Sequence, residues 1–126
     1  MTYLLDTHPL IWWLLEPRKL SRKVTALLTQ GDTRFLVPTM ALLEMEYLVE
    51  IGRIEAETHE AVATLSADEQ FDVIAFDATV LHEAIPLAGT RDPFDRIIAA
   101  TAIAHHLPLV TRDDWMHTHL GKKCVW

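Results

Sequence analysis

Four carboxylates spaced widely along the chain, Asp6, Glu44, Asp95 and Asp113, are the residues best suited to chemistry in this sequence. Brought within a few ångströms of one another they would repel and drive protonation unless a cation neutralised them. Hard oxygen donors of this kind suit Mg²⁺ or Mn²⁺. Such an ion acidifies water, positions it for in-line attack and stabilises charge on a leaving oxygen, so no side-chain nucleophile is required. The reaction expected of the set is hydrolysis of phosphodiester bonds.

Each acid also has an ordinary structural reading. Asp6 follows the apolar run Tyr3, Leu4, Leu5 and precedes Thr7, His8 and Pro9, where it could cap a helix starting near Pro9. Asp95 could sit at the positive end of its helix behind Asp92 as the cap. Asp113, in Thr111-Arg112-Asp113-Asp114, stands where a turn aspartate is common. Glu44 is harder to explain away. Residues 39–52 place Met40, Leu43, Tyr47, Leu48 and Ile51 at intervals of three and four, the pattern of an amphipathic helix, and Glu44 lies on that stripe. A charged carboxylate on an apolar face is costly unless it is paired, protonated or bound to a cation.

The elements that must position these acids alternate between short apolar runs and longer segments of helical period, which favours parallel strands joined by helical crossovers. Strands are expected at residues 3–5, 35–37, 73–76 and 109–111, with a short edge strand at 123–126. Helices are expected at 9–15, from Ser21 to Gly31, at 39–52, 56–65 and 78–85, and from Asp92-Pro93 to His106. Residues beyond the carboxyl ends of parallel strands line the ligand crevice, and Asp6 and Asp113 both fall there. The chain, at 126 residues, suits one domain, 1–126.

Half of the residues are apolar, which excludes a disordered chain, and no uninterrupted apolar run reaches membrane-spanning length. No signal-peptide pattern precedes the first strand, so a cytoplasmic protein is expected. Cys124 is the only cysteine, which excludes an internal disulfide and a thiolate metal cluster. A net charge of −7 argues against a protein that coats nucleic acid. It does not exclude a nuclease, because a bound cation reverses the local field.

The motifs resemble those of PIN-domain nucleases, and more closely the toxin half of VapBC toxin–antitoxin pairs. The resemblance rests on Leu4-Leu5-Asp6-Thr7-His8, on Glu44 within 40–53, on Asp92-Pro93-Phe94-Asp95-Arg96 followed by Ala99-Ala100-Thr101-Ala102, and on Leu107-Pro108-Leu109-Val110-Thr111-Arg112-Asp113. It covers nearly the whole chain, with the motifs in order. It implies a PIN-like three-layer α/β/α fold with a parallel sheet of about four to five strands. It further implies a metal-dependent endoribonuclease in which Asp6, Glu44, Asp95 and Asp113 hold Mg²⁺ or Mn²⁺, acting on RNA, forming a homodimer and blocked by a small cognate antitoxin. Thr7 and Thr111 are expected to orient the acids beside them, and Asp92 to serve mainly as a helix cap. Arg91, Arg96 and Arg112 flank the acids and could hold substrate phosphates or simply balance charge.

Other readings remain at this stage. A PIN nuclease outside any toxin pair would carry the same acids. A phosphoacceptor receiver domain has similar size and architecture, but it should carry adjacent acids after its first strand and a lysine after its fifth. Here Asp6 has no acidic neighbour and no lysine occurs between Lys23 and Lys122. A non-catalytic interaction module is not suggested when all four acids are present. His105-His106 and His117-Thr118-His119 fit helix ends and surface better than a transition-metal site, which would lack a third ligand. Trp12 and Trp13, about 100° apart on a helix, cannot share one narrow stripe. They suit a wide buried face, or one of them a partner.

Overall fold

The computed structural model describes residues 1–126. The chain opens with β1 (Thr2–Leu5), in which Leu4 and Leu5 are fully buried. An uninterrupted apolar strand is what burial on both faces of a parallel sheet demands. Asp6 is extended and caps α1 (Thr7–Leu15), with Pro9 in its first turn, where a missing N–H is no loss. Pro17 starts a short 3₁₀ turn, and the Ser21 hydroxyl accepts the Val24 N–H at 3.1 Å to begin α2 (Arg22–Thr29). There follow β2 (Arg34–Pro38), α3 (Thr39–Glu50), α4 (Thr58–Ala67), β3 (Phe71–Ile74), α5 (Ala78–Ala84), α6 (Pro93–Ala104), β4 (Leu109–Val110), α7 (Asp114–Leu120) and β5 (Cys124–Val125).

All four strand pairings are parallel, in the order β3-β2-β1-β4-β5. Tyr3 lies opposite Phe35, and Phe35 opposite Phe71, so their rings stack across three strands at 5.9 and 5.7 Å. The chain winds outward from β1 through β2 to β3, then returns to the other side of β1 as β4. That reversal opens a crevice at the carboxyl ends of β1 and β4. The same order excludes the receiver domain, whose sheet runs 2-1-3-4-5.

The structure departs from the sequence expectations in three places. Strand β3 starts at Phe71, two residues early, because Phe71 is the partner of Phe35; Phe76 lies beyond it and is exposed. Helix α7 was not expected. The Asp113 carboxylate accepts the Met116 N–H at 2.9 Å and makes a helix of what reads as a turn, while fully buried Met116 anchors it. Met116, Trp115 and Leu120 all pack on the core, but seven residues are too few to display a helical period.

The third departure concerns α3. Its inward face carries Ala41, Leu42 and Met45, whereas Leu43, Tyr47 and Ile51 of the expected apolar stripe are 56%, 46% and 47% exposed. Large side chains dominate a periodicity count, but α3 packs on α1 and α6, and Ala41 on the inward face is fully buried. Glu44 is therefore buried for a reason other than the stripe.

Truncating the ring that links β1 to β3 tests the core. Phe35→Ala is expected to lower stability by about 3–5 kcal/mol, read as a fall in the urea midpoint at unchanged slope. A loss below about 1 kcal/mol would mean that the aromatic stack does not hold these strands together.

Candidate metal centre

Three of the acids reach the crevice as helix caps. Asp6 leaves β1 and caps α1, its Oδ1 accepting the Thr7 N–H at 2.8 Å. Asp92 caps α6, its Oδ1 accepting the N–H groups of Phe94 and Asp95 at 2.9 and 3.3 Å. Asp113 caps α7 through Oδ1. The structural and chemical readings of these aspartates are therefore compatible. A carboxylate has about four acceptor sites, and the caps on Asp92 and Asp113 occupy one oxygen only.

Two threonines cross-link the acids between elements. Thr7 Oγ1 donates to Glu44 Oε1 at 2.5 Å, tying α1 to α3. Thr111 Oγ1 donates to Asp6 Oδ2 at 2.7 Å and accepts the Asp113 N–H at 3.0 Å, tying the end of β4 to the end of β1. Each hydroxyl was expected to orient the acid beside it in sequence. Thr7 instead holds an acid 37 residues away, and Thr111 holds one 105 residues away as well as its own neighbour. Both threonines are completely buried, so neither bond competes with water.

The resulting crevice is lined by Asp6, His8, Trp12, Glu44, Asp92, Asp95, Arg112, Asp113 and Asp114. All four expected acids are present. Carboxylate oxygens of Glu44, Asp92 and Asp95 lie within 4.8 Å of one another, which moves Asp92 from a helix cap to a member of the tightest trio. Its sequence context gave a complete structural account, so the second role left no trace there. Asp114, His8 and Trp12 also line the crevice, although none of the three was expected to belong to the site; for Trp12 and His8, the turn of α1 that follows Asp6 is what brings them in.

The electrostatics match this crowding. Burial, and secondarily Asp6, Asp92 and Asp113, push Glu44 up to about 7. Asp95 rises to about 8, mainly through burial, with added repulsion from Asp6, Asp92, Asp113 and Glu44. Asp6 is raised by burial, against the opposing bonds from Thr111 and Thr7. A divalent cation bound among them would favour their ionised forms. The donor set is all oxygen, as hard divalent ions require, and no histidine joins the trio.

The arginines separate. Arg112 lines the crevice with its guanidinium 5.9 Å from the centre of the Trp12 ring. Arg96 does not face the acids: Nε donates to the Ala84 carbonyl at 2.9 Å and Nη2 to the Ile85 carbonyl at 2.8 Å, closing the end of α5. Its expected part in substrate binding is thereby corrected, since two of its donors bind backbone at the end of α5 and the side chain does not line the crevice. Arg91 is exposed and does not line the crevice. The histidines are also accounted for: His105 and His106 are exposed at the end of α6. His117 Nε2 meets the Thr111 carbonyl at 2.7 Å, and His119 stacks on Trp115.

Comparison with known proteins bears on this geometry. A family model described as PIN domain matches residues 3–119. Ribonuclease VapC22 of Mycobacterium tuberculosis (strain ATCC 25618 / H37Rv) is 31% identical over 129 residues, covering 99% of this chain and 98% of its own. VapBC2 from Rickettsia felis, solved bound to a DNA fragment from its promoter, matches with a TM-score of 0.67 at 17% identity, over 99% of this chain and 96% of that one. A toxin–antitoxin complex from Klebsiella pneumoniae matches with a TM-score of 0.64 at 23% identity, over 98% and 96%. At these identities the two solved structures share the fold.

Two outcomes follow from the geometry. Glu44 and Asp95 hold their protons to about 7 and 8, so the unfolded chain releases them first as pH rises. Their contribution to stability is complete below about pH 4 and drains away up to about pH 8. Because both acids retain some solvent contact, the effect is screened. Without divalent ions, the melting temperature of Glu44→Gln is expected to exceed that of the native chain by a margin that widens from pH 5 to pH 8. Saturating Mn²⁺ should reverse the order, since the ion binds the ionised form. A margin that stays constant with pH would refute the assignment of Glu44 as a strained acid. For Arg96→Met, the expected result is a stability loss of about 1–3 kcal/mol with Mn²⁺ affinity unchanged in a calorimetric titration. Weakened Mn²⁺ binding would return Arg96 to the site.

Proposed function

This chain belongs to the PIN domain family, and from that premise we propose that it is a metal-dependent endoribonuclease acting as the toxin of a type II toxin–antitoxin pair. The observation that carries the proposal is the crevice itself. Six carboxylates converge there with one arginine, an arrangement that repels a phosphodiester until a divalent ion inverts the field. The 31% identity to a ribonuclease along the full length supports the choice of RNA.

In this reading Asp6, Glu44, Asp95 and Asp113 hold Mg²⁺ or Mn²⁺, and Asp92 completes the wall. Bound there, the ion would supply Lewis acidity toward a phosphoryl oxygen and acidify attacking water. The chain's own residues prepare the site. Thr7 and Thr111 fix the carboxylate rotamers of Glu44 and Asp6, so little reorganisation is needed when substrate arrives. Arg112 is the arginine of the crevice and faces an incoming phosphate. A small antitoxin masks the crevice in the resting pair. A second copy of the chain covers the exposed Leu43, Tyr47 and Ile51 on α3, and the protein works in the cytoplasm. No helix is long and apolar enough to cross a membrane.

The test is to incubate purified protein with total RNA in Mg²⁺, Mn²⁺ or a chelator and to sequence the RNA ends produced. Discrete new ends are expected with either metal and none with the chelator. Asp6→Asn and Asp95→Asn should remain folded and lose more than the roughly 100-fold that removing an outer-sphere partner costs. Full metal-dependent cleavage by both variants would overturn the site, and cleavage unaffected by chelator would overturn the metal.

A further inference from the structure

Within a crevice otherwise built of acids, His8 and Arg112, the sole apolar wall is the indole of Trp12. The ring is half-buried and anchored on the core, with Trp126 edge-on at 5.7 Å and His8 tilted against it at 5.7 Å. The ring packs on the core at one side and lines the polar crevice at the other. Whatever passes over the acids also passes over this ring.

Arg112 points to what the surface accepts. Its guanidinium stands over the Trp12 ring at 5.9 Å, near the outer limit of about 6 Å for such a contact, and the arginine is itself exposed. A flat, charged group held loosely on an aromatic face is readily replaced by another flat group. Its own charge then remains beside the ring. The pair thus offers stacking for a planar base and an ionic contact for a phosphate, side by side.

We propose that Trp12 is a base-stacking platform of the crevice, on which one unpaired nucleobase next to the scissile phosphate docks while Arg112 shifts to hold a phosphate of the same strand. The inference rests on the ribonuclease reading and deepens it: the substrate must present an unstacked base, so the enzyme cuts single-stranded or looped segments and not continuous duplex. Stacking tolerates any base, so the platform selects for strand flexibility more than for sequence.

The experiment uses one short single-stranded RNA that the protein cleaves in Mn²⁺, together with a series in which each nucleotide near the cut is made abasic in turn. For the native chain, one abasic position adjacent to the cut should raise KM about ten-fold with kcat little changed. In Trp12→Leu, which keeps an apolar side chain against Trp126, the intact RNA should already show that rise, and the abasic position should add nothing. Trp12→Phe, which keeps a ring, should fall between the two. Fully paired RNA of the same sequence should resist cleavage by all three proteins.

A flat abasic profile in the native chain overturns the platform and needs no variant to fold. So does an abasic penalty that persists at full size in Trp12→Leu. Unchanged constants in folded Trp12→Leu would assign the ring to a protein partner or to packing alone. In each of these cases cleavage by the native chain leaves the ribonuclease reading standing. Absence of cleavage of any RNA by the native chain would overturn that reading itself.

Discussion

Like charges crowd the mouth of one crevice, and much of the surrounding structure holds them there against their repulsion. Glu44 and Asp95 are pushed to about 7 and 8 because the fold buries them and sets other acids beside them. An isolated surface acid would relax by turning to water. These cannot. Asp6 and Asp92 are fastened by caps at the starts of α1 and α6, where backbone N–H groups and the helix dipole favour negative charge. Glu44 is fastened by Thr7 and Asp6 by Thr111. The repulsion that remains is the force available to bind a cation.

The sheet explains why so many acids can be assembled with so little machinery. In the order β3-β2-β1-β4-β5, the central strand β1 and its neighbour β4 end side by side and their following helices begin at the same edge. Asp6 and Asp113 need only be the residues that follow β1 and β4. The buried layer beneath is rigid, with Leu4, Leu5, Leu109 and Val110 all fully enclosed, so the strand ends cannot splay apart to relieve the charge. The threonine bridge between β1 and β4 adds a polar tie at the very point where the backbone pairing stops.

The same edge assigns different tasks to residues that look alike. Arg96 and Arg112 both flank acids in sequence, yet Arg96 turns away to close α5 while Arg112 enters the crevice. Trp12 and Trp13 are neighbours, both packed on the core, yet Trp12 is the one that lines the crevice. For the tryptophans the helix turn decides which neighbour is aimed at the site, and for the arginines it is placement, Arg96 on α6 and Arg112 in the loop after β4.

Much was legible in the chain alone. The alternation of short apolar runs with helical segments determined the parallel α/β class, and Asp6, Glu44, Asp95 and Asp113 stood out through spacing and motif. Local chemistry also determined the caps at Ser21 and Asp92 and the strand that precedes Asp6. These features depend on neighbours within a few residues, which a linear text displays. What only the tertiary structure decided depends on groups far apart. It moved the buried face of α3 to Ala41, Leu42 and Met45, because close packing against α1 and α6 ranks faces by shape and a periodicity count ranks them by size. It made α7 from a segment too short to display a helical period, paired Thr7 with Glu44 and Thr111 with Asp6, and drew Asp92 beside Glu44 and Asp95. A hydroxyl 105 residues from its carboxylate leaves no local mark, since the bond exists only once the sheet has brought β1 and β4 together. The four carboxylates could be named from the sequence, but the crevice that brings them together is a property of the fold.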